Sequence, residues 1–291
     1  MNITTIEELI TMAHDQNCTI GEAILKQEAQ SHETTLAEAK AQMLANWQVM
    51  KDSITQGLEH PERSKGGLIG GEGRKLQEYC QKQQPLSGKK MAIAVSYALA
   101  VAEVNATMGK IVACPTAGSC GIMPAVLMTV QERLSLSDEQ VVMGMFTASA
   151  FGMVIAHKAS VSGAVCGCQA ECGSAAAMAS AASVELAGGT PEQAAHACAM
   201  VIKNVLGLVC DPVAGLVEVP CAKRNAMGTS LALVCADMAL AGIESVIPAD
   251  EVIMAMSEVG RNLPESLRET ALGGLAVTPT ALELARKILQ S

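Results

Sequence analysis

The chain has 291 residues, 50% of them hydrophobic and only 2% aromatic, and its formal net charge is −9 at pH 7. This apolar fraction excludes a disordered chain, and the length fits one large domain or two smaller ones. The negative charge and the scarcity of aromatic rings exclude a surface that binds nucleic acid through phosphate contacts or base stacking.

The N-terminal part of the chain is polar and amphipathic. Thr19 and Thr35 are each followed three residues later by a glutamate, and this capping-box pattern predicts two helix starts. Apolar residues at helical spacing follow and predict a long helix that ends near Gly57. We therefore expect residues 1–58 to form a helical segment that packs on a body made of residues 59–291.

Residues 59–75 interrupt this pattern, with glycine at five of the eight positions 66–73. Glycine tolerates positive φ angles and lets another part of the chain approach its backbone closely. We predict a loop here, which separates the N-terminal helices from the apolar body.

From residue 87 onward, signals for helix starts recur. Ser137 and Thr190 begin capping boxes with a glutamine at the third position, and Asp250 and Thr278 are expected to cap two further helices. Alternating patterns of β-branched and aromatic residues, which are typical of strands, are almost absent. The sequence therefore predicts an all-α fold.

Two apolar stretches raise the question of a membrane. Residues 111–131 carry no charge and are long enough to cross a bilayer, and residues 141–156 form a shorter apolar run. Prolines and glycines in the first stretch would leave backbone groups unsatisfied in lipid, and no Trp or Tyr flanks it. We expect both stretches to lie in the core of a soluble protein without a membrane partner.

Eleven cysteines occur, an odd number too dilute for a disulfide scaffold, and the first residues lack a secretory signal. We expect reduced thiols in a cytoplasmic protein. Six of the eleven fall between positions 166 and 221, where they form a metal site or serve as small buried hydrophobes. Their spacing matches neither a zinc finger nor a bacterial ferredoxin, so spacing alone leaves both interpretations open.

Five motifs, taken in order, form a more specific pattern. They are Arg-Ser-Lys-Gly-Gly at 63–67, Pro-Thr-Ala-Gly-Ser-Cys-Gly-Ile-Met-Pro-Ala-Val-Leu at 115–127, Gly-Cys-Gln-Ala-Glu at 167–171, Cys-Asp-Pro-Val-Ala-Gly-Leu-Val at 210–217, and Val-Pro-Cys at 219–221 followed by Lys-Arg-Asn-Ala-Met-Gly at 223–228. Together they resemble the alpha subunit, or the catalytic domain, of the iron-sulfur-dependent L-serine dehydratases (L-serine ammonia-lyases). The resemblance covers nearly the whole chain.

This resemblance implies a large helical catalytic domain whose loops carry a 4Fe-4S cluster, held by Cys168, Cys210 and Cys221. Three thiolates leave one iron without a protein ligand, and an open iron acts as a Lewis acid in the loss of the substrate hydroxyl. The implied reaction converts L-serine to pyruvate and ammonia. Cys166 and Cys172 flank the first ligand and are expected to be spectators, and the other six cysteines are expected to lie in the core.

The resemblance also implies a substrate pocket built from two glycine-containing turns, whose amides and side chains hold the serine carboxylate. The predicted substrate-binding residues are Ser64, Lys65, Gly66, Thr116, Ala117 and Gly118. Lys65 is also the predicted catalytic residue of this chain, with a solvated loop lysine as the alternative. Arg224 and Asn225 are predicted to orient the cysteine loop, with a surface charge and a helix cap as the alternatives.

No histidine has a position that makes it a convincing base. The resemblance implies that a smaller domain or a separate beta subunit contributes a histidine that contacts the substrate. We therefore expect the active enzyme to be a complex with a separately encoded serine dehydratase beta subunit, which also supplies the base.

Two other functions fit parts of the sequence. A pyridoxal-phosphate dehydratase would use Lys65 as the Schiff-base lysine and residues 118–121 as the phosphate loop, but such an enzyme needs an α/β scaffold. A non-catalytic iron-sulfur redox or oxygen sensor would instead use the region from Cys168 to Cys221 to bind a cluster that controls a partner.

Overall fold

The computed structural model describes residues 3–290, and in this range it contains helices, turns and loops but no β-strand. The prediction of an all-α fold is confirmed. The α-helices of the described range are α1 Ile6–Asp15, α2 Ile20–Ser31, α3 Leu36–Glu59, α4 Glu72–Lys82, α5 Lys89–Ala106, α6 Ile122–Leu134, α7 Asp138–Lys158, α8 Gly163–Cys166, α9 Ser174–Leu186, α10 Pro191–Val205, α11 Cys221–Leu240, α12 Ala249–Asn262 and α13 Pro279–Leu289.

Most helix starts follow from local signals in the sequence. The four predicted capping boxes are present. In each, the hydroxyl of the cap residue accepts a hydrogen bond from the amide of the third helical residue, and the Glu or Gln side chain of that residue accepts one from the amide of the cap residue. A further capping box at Thr5 begins α1. Thr278 precedes α13 as expected, but its hydroxyl donates to the Leu275 carbonyl and does not accept a hydrogen bond from an amide of the helix.

The prediction that Asp250 caps a helix is wrong. Helix α12 begins one residue earlier, at Ala249, and Asp250 lies in its first turn. Its carboxylate accepts hydrogen bonds from the amides of Ile6 and Glu7, at 3.0 and 3.2 Å. Asp250 therefore satisfies free amides at the start of α1, a helix from the opposite end of the sequence.

The predicted glycine-rich loop lies between α3, which ends at Glu59, and α4, which begins at Glu72. Gly67, Gly70 and Gly71 have φ angles of 69°, 152° and 75°. A side chain would strain the backbone at these angles, so the loop requires glycine.

The centre of the molecule is helix α9. All residues from Ser174 to Val184 are buried, and the helix packs against α6, α7, α10 and α11. Its alanines and serines allow close contact on every side, as expected of a helix surrounded by others. Helix α5 lies beside α6 and α11 and packs on its other sides against α3 and α4.

The N-terminal helices share this core. Leu9, Ile24 and Trp47 belong to the same cluster of buried residues as Ile122 and Phe151 of the body. The boundary at residue 58 stays a prediction.

One described helix, α7, is long and apolar enough to cross a membrane by length and composition. Within its most apolar window, 67% is buried inside the structure, which is the pattern of a core helix. The other uncharged stretch is divided between a loop, a short 3-10 turn at Ala117–Ser119 and helix α6.

Candidate metal centre

Three separate turns bring the predicted ligands Cys168, Cys210 and Cys221 into the interior, where they are 1%, 2% and 6% exposed. Cys168 lies between α8 and a π-helical turn at Gln169–Gly173. Cys210 forms an isolated bridge with Arg268, and Cys221 is the first residue of α11.

Within the described range, the ligand atoms of Cys168, Glu171 and Cys210 all lie within 4.8 Å of one another. Cys221 lies beside this group and not in it. Burial and the nearby negative charge of Cys168 raise the pKa of Cys221 to about 12. The structure thus places two predicted ligands together with a carboxylate, and the third next to them.

The neighbours of Cys168 favour its thiolate form. The thiols of Cys172 and Cys210 donate to it and Arg224 adds a positive charge, so the pKa of Cys168 falls to about 3. Because Cys172 and Cys210 donate these hydrogen bonds and are buried, the pKa of each is raised. Buried thiols around a stabilised thiolate are a soft donor set that suits an iron-sulfur group.

Arg224 connects Cys168 to the segment that follows Cys210. Its Nη1 donates to Cys168 Sγ at 3.3 Å and to the Val209 carbonyl at 2.8 Å, and its Nη2 donates to Asp211 Oδ1 at 2.8 Å. The other oxygen of Asp211 accepts from the Leu275 amide at 2.7 Å. Both charged side chains are largely buried, so this ion pair fixes the geometry around the thiolate.

Asn225 connects Cys221 to the turn at 116–121. Its Nδ2 donates to the Gly118 carbonyl at 2.7 Å and to the Cys221 carbonyl at 2.9 Å, and its Oδ1 accepts from the Gly121 amide at 2.9 Å. The side chain is 1% exposed, so it is neither a surface group nor a cap of its own helix.

The buried carboxylate of Glu171 lies against the predicted substrate turn. The Thr116 hydroxyl donates to it, and a Cβ at Gly118 would lie 2.7 Å from Glu171 Oε1, so a larger residue there would displace the carboxylate. Burial, opposed by the Thr116 hydrogen bond and reinforced by Cys168, raises the pKa of Glu171 to about 7. Glu171 ends one of the motifs quoted from the sequence, where a carboxylate beside the cysteines is consistent with a metal site, but it was not among the predicted site residues.

The loop around Lys65 has an unexpected partner. The Ser64 hydroxyl and the Gly66 amide, which we predicted to hold the substrate, donate to the Glu218 carboxylate at 2.6 and 2.7 Å. The side chain of Lys65 is exposed and forms no ion pair with the described residues. Our sequence analysis did not identify Glu218.

Both predicted substrate turns contact the end of α5. The Lys65 amide donates to the Ala106 carbonyl at 3.2 Å, and Asn105 Nδ2 donates to the Ala117 carbonyl at 3.1 Å. The 3-10 turn Ala117–Ser119 also begins here, and the first amides of such a turn have no acceptor within it.

The remaining cysteines are not all in the core. Cys80, Cys120, Cys198 and Cys235 are buried as expected, and Cys114 is partly exposed but packs against the main core, whereas Cys18 is partly exposed and lies outside it, which corrects our expectation for Cys18. Among the two expected spectators, Cys172 interacts with Cys168, and Cys166 packs at Gly260 of α12.

The histidines lie in other parts of the structure. His14 and His32 pair with Glu192 and Glu28 on the surface, and the ring of His196 accepts from the Ser245 amide. His60 and His157 are exposed at the ends of α3 and α7.

Comparison with known proteins gives a consistent match. The family model for the serine dehydratase alpha chain matches residues 15–276. The probable L-serine dehydratase alpha chain of Bacillus subtilis (strain 168) is 53% identical over 283 residues, which cover 97% of this chain and 94% of the relative. The L-serine dehydratase alpha chain of Peptoniphilus asaccharolyticus is 44% identical over 288 residues, which cover 99% of both chains.

A longer relative matches over part of its length. The L-serine dehydratase of Streptomyces coelicolor is 37% identical over 279 residues, which cover 94% of this chain and 60% of the relative. The remaining part of that protein has no counterpart in the match.

Proposed function

Because the chain belongs to the serine dehydratase alpha chain family, we propose that it is the alpha subunit of an L-serine dehydratase. In this proposal the enzyme is a lyase that converts L-serine to pyruvate and ammonia. The observation that supports the proposal is the buried group of Cys168, Glu171 and Cys210, whose ligand atoms lie within 4.8 Å of one another and which includes two of the three expected cluster ligands.

The residues present fit a 4Fe-4S cluster by the chemistry of their donors, and Cys168, Cys210 and Cys221 would hold it. When bound, such a cluster supplies an iron that has no thiolate ligand and acts as a Lewis acid toward the substrate hydroxyl. The Cys172 and Cys210 thiols and Arg224 donate to Cys168 and favour its thiolate, and Asn225 binds both Cys221 and the substrate turn. The buried surroundings exclude water and strengthen these electrostatic contacts.

The substrate is an amino acid, and its carboxylate needs a cation or free amides. In our proposal Lys65 and the turn of Thr116, Ala117 and Gly118 provide these groups. Ser64 and Gly66 hold the loop that carries Lys65, since their own donors bind Glu218.

The active form is proposed to be a cytoplasmic complex with a serine dehydratase beta subunit, which supplies the base that removes the Cα proton. Two features support a partner. The relatives are alpha chains by name, and the Streptomyces relative extends well beyond the part that this chain matches. The α/β scaffold that a pyridoxal-phosphate enzyme needs is not found in residues 3–290.

The test is anaerobic reconstitution of the chain with iron, sulfide and the beta subunit, followed by assays for iron, sulfide and pyruvate. We expect Cys168→Ala, Cys210→Ala and Cys221→Ala to lose the cluster and pyruvate formation. Cys235→Ala, which removes a buried thiol from the core of α11, is the matched control and should keep both.

Full cluster content in all three ligand variants would disprove the ligand assignment. A wild-type complex that binds the cluster but forms no pyruvate from L-serine would favour the redox sensor.

A further inference from the structure

The buried carboxylate of Glu218 binds one short loop through three donors. The Ser64 hydroxyl and the Gly66 amide donate to it at 2.6 and 2.7 Å, and the Leu68 amide donates at 3.1 Å. The approach is tight, because a Cβ at Gly66 would lie 2.4 Å from Leu216 Cδ1 and 2.9 Å from Glu218 Oε1. A side chain at 66 would therefore push against the ends of the Leu216 and Glu218 side chains, so glycine favours this close approach.

Lys65 lies between two of these donors. Its own amide donates to the Ala106 carbonyl at 3.2 Å, so three consecutive residues of the loop are fixed by hydrogen bonds. Of these three residues, only Lys65 has an exposed side chain. Glu218 is 3% exposed and precedes the predicted ligand Cys221 by three residues, so it connects the Lys65 loop to the cysteine segment.

We infer that Glu218 is a positioning residue, which fixes the loop so that the Lys65 ammonium binds the carboxylate of the substrate. Because Glu218 occupies the Ser64 hydroxyl and the Gly66 amide, these groups are not available to a second carboxylate. On this loop, recognition of the substrate charge then depends on Lys65, whose two neighbours in the chain Glu218 holds in place. This inference rests on the proposed function.

A double-mutant cycle on the reconstituted complex tests it. Glu218→Gln keeps the size of the side chain but replaces one accepting oxygen with an amide NH2, which is itself a donor and faces a donor of the loop. We expect the KM for L-serine to rise about tenfold and kcat to change less. A change in affinity of about tenfold corresponds to the loss of one charge-assisted hydrogen bond. In a Lys65→Ala background, Glu218→Gln should have almost no further effect. Equal, independent effects of the two changes would overturn the inference.

Two measurements do not depend on turnover. Amide hydrogen exchange at Gly66 and Leu68 should be faster in Glu218→Gln than in the wild type, because both amides lose a charged acceptor. Iron content should equal that of the wild type. A parallel loss of iron would mean that Glu218 supports the cysteine segment and not Lys65, which would overturn the inference.

Glu185→Gln is a matched control. Glu185 is a buried carboxylate that accepts from the amides of Ile20 and Gly21 and from the Thr147 hydroxyl, far along α9 from the cysteines. We expect it to destabilise the fold and leave the KM unchanged. An equal rise in KM here would show a general effect of losing such a carboxylate, and would overturn the specific role of Glu218.

If Glu218→Gln does not fold, Ser64→Ala removes one donor and leaves the carboxylate intact. It should raise the KM by a smaller factor and also have no further effect in the Lys65→Ala background. An inactive wild-type complex would overturn the proposed function and this inference with it, whereas an active complex with additive effects would overturn this inference alone.

Discussion

The core cysteines and the cysteines of the candidate metal centre are equally shielded from solvent but differ in their neighbours. Cys235 is 0% exposed among apolar helices, and burial raises its pKa to about 11. Cys168 is 1% exposed, yet the thiols of Cys172 and Cys210 and the charge of Arg224 lower its pKa to about 3. Burial among apolar groups raises the pKa of a thiol, whereas hydrogen-bond donors and a cation beside it favour the thiolate, the form that binds metals.

The buried carboxylates show the same contrast. Glu185 in the core holds helix α2 through the amides of Ile20 and Gly21. Glu171 lies beside Cys168 and Cys210, and Asp211 holds Arg224. The core therefore uses its carboxylates to join helices, whereas the metal centre uses them to arrange reactive groups.

The largest effect is expected from Arg224→Met. It removes the cation beside Cys168 and leaves Asp211 buried without its partner, which costs about 3–5 kcal/mol for a broken buried pair. Urea unfolding of the cluster-free chain measures this loss. Arg74→Met is the control, because its exposed pair with Glu78 on α4 contributes only about 0.5 kcal/mol. Equal losses in both variants would contradict the importance of the Arg224 network.

A second, smaller effect is the pH dependence that Glu171 causes in the cluster-free chain. Its folded pKa of about 7 lies above the unfolded value, so its contribution to stability is fully present below the unfolded pKa and is lost as pH rises through about 7. Relative to Glu171→Gln, the wild type should lose up to about 3 kcal/mol between pH 4 and pH 8. Urea unfolding across this range measures the difference, and parallel pH profiles would contradict it.

The smallest effect concerns the core contact between α3 and α7. Asp138 accepts from Trp47 Nε1, Lys51 and Gln131, and these donors, Lys51 foremost, lower its pKa to about 2. Its contribution is present above the unfolded pKa and is lost as pH falls through about 2. Asp138→Asn should cost about 1 kcal/mol at pH 7, after allowance for solvent screening.

The chain has a single Trp, so its fluorescence reports this change directly. Asp52→Asn on the exposed side of α3 is the control and should leave the emission and the stability unchanged. An unchanged midpoint for Asp138→Asn would contradict the contact.

Much of the fold was predictable because its signals are local. Thr19, Thr35, Ser137 and Thr190 bind amides within their own first turns, so the sequence around each is sufficient. The prediction that Asp250 caps its own helix failed because its partners belong to α1, more than 240 residues earlier in the sequence. Such a contact leaves no local pattern.

The site was predictable only in part. The resemblance identified Cys168 and Cys210, which the structure brings together, but spacing alone did not distinguish them from core cysteines. Glu171, Asp211 and Glu218 were missed, because each acts on residues from a distant segment. Glu171 and Asp211 are, however, acidic residues inside otherwise apolar or cysteine-containing motifs, and this pattern in the sequence could have indicated them.

The central claim is that Cys168, Cys210 and Cys221 hold a cluster in which one iron has no thiolate ligand. Iron analysis and electron paramagnetic resonance of the reconstituted complex, before and after brief exposure to air, test it most directly. We predict that about one iron of the four is lost first, leaving the signal of a three-iron cluster, and that activity falls with it and returns with ferrous iron. A complex that keeps all its iron and full activity through prolonged aeration would contradict the claim.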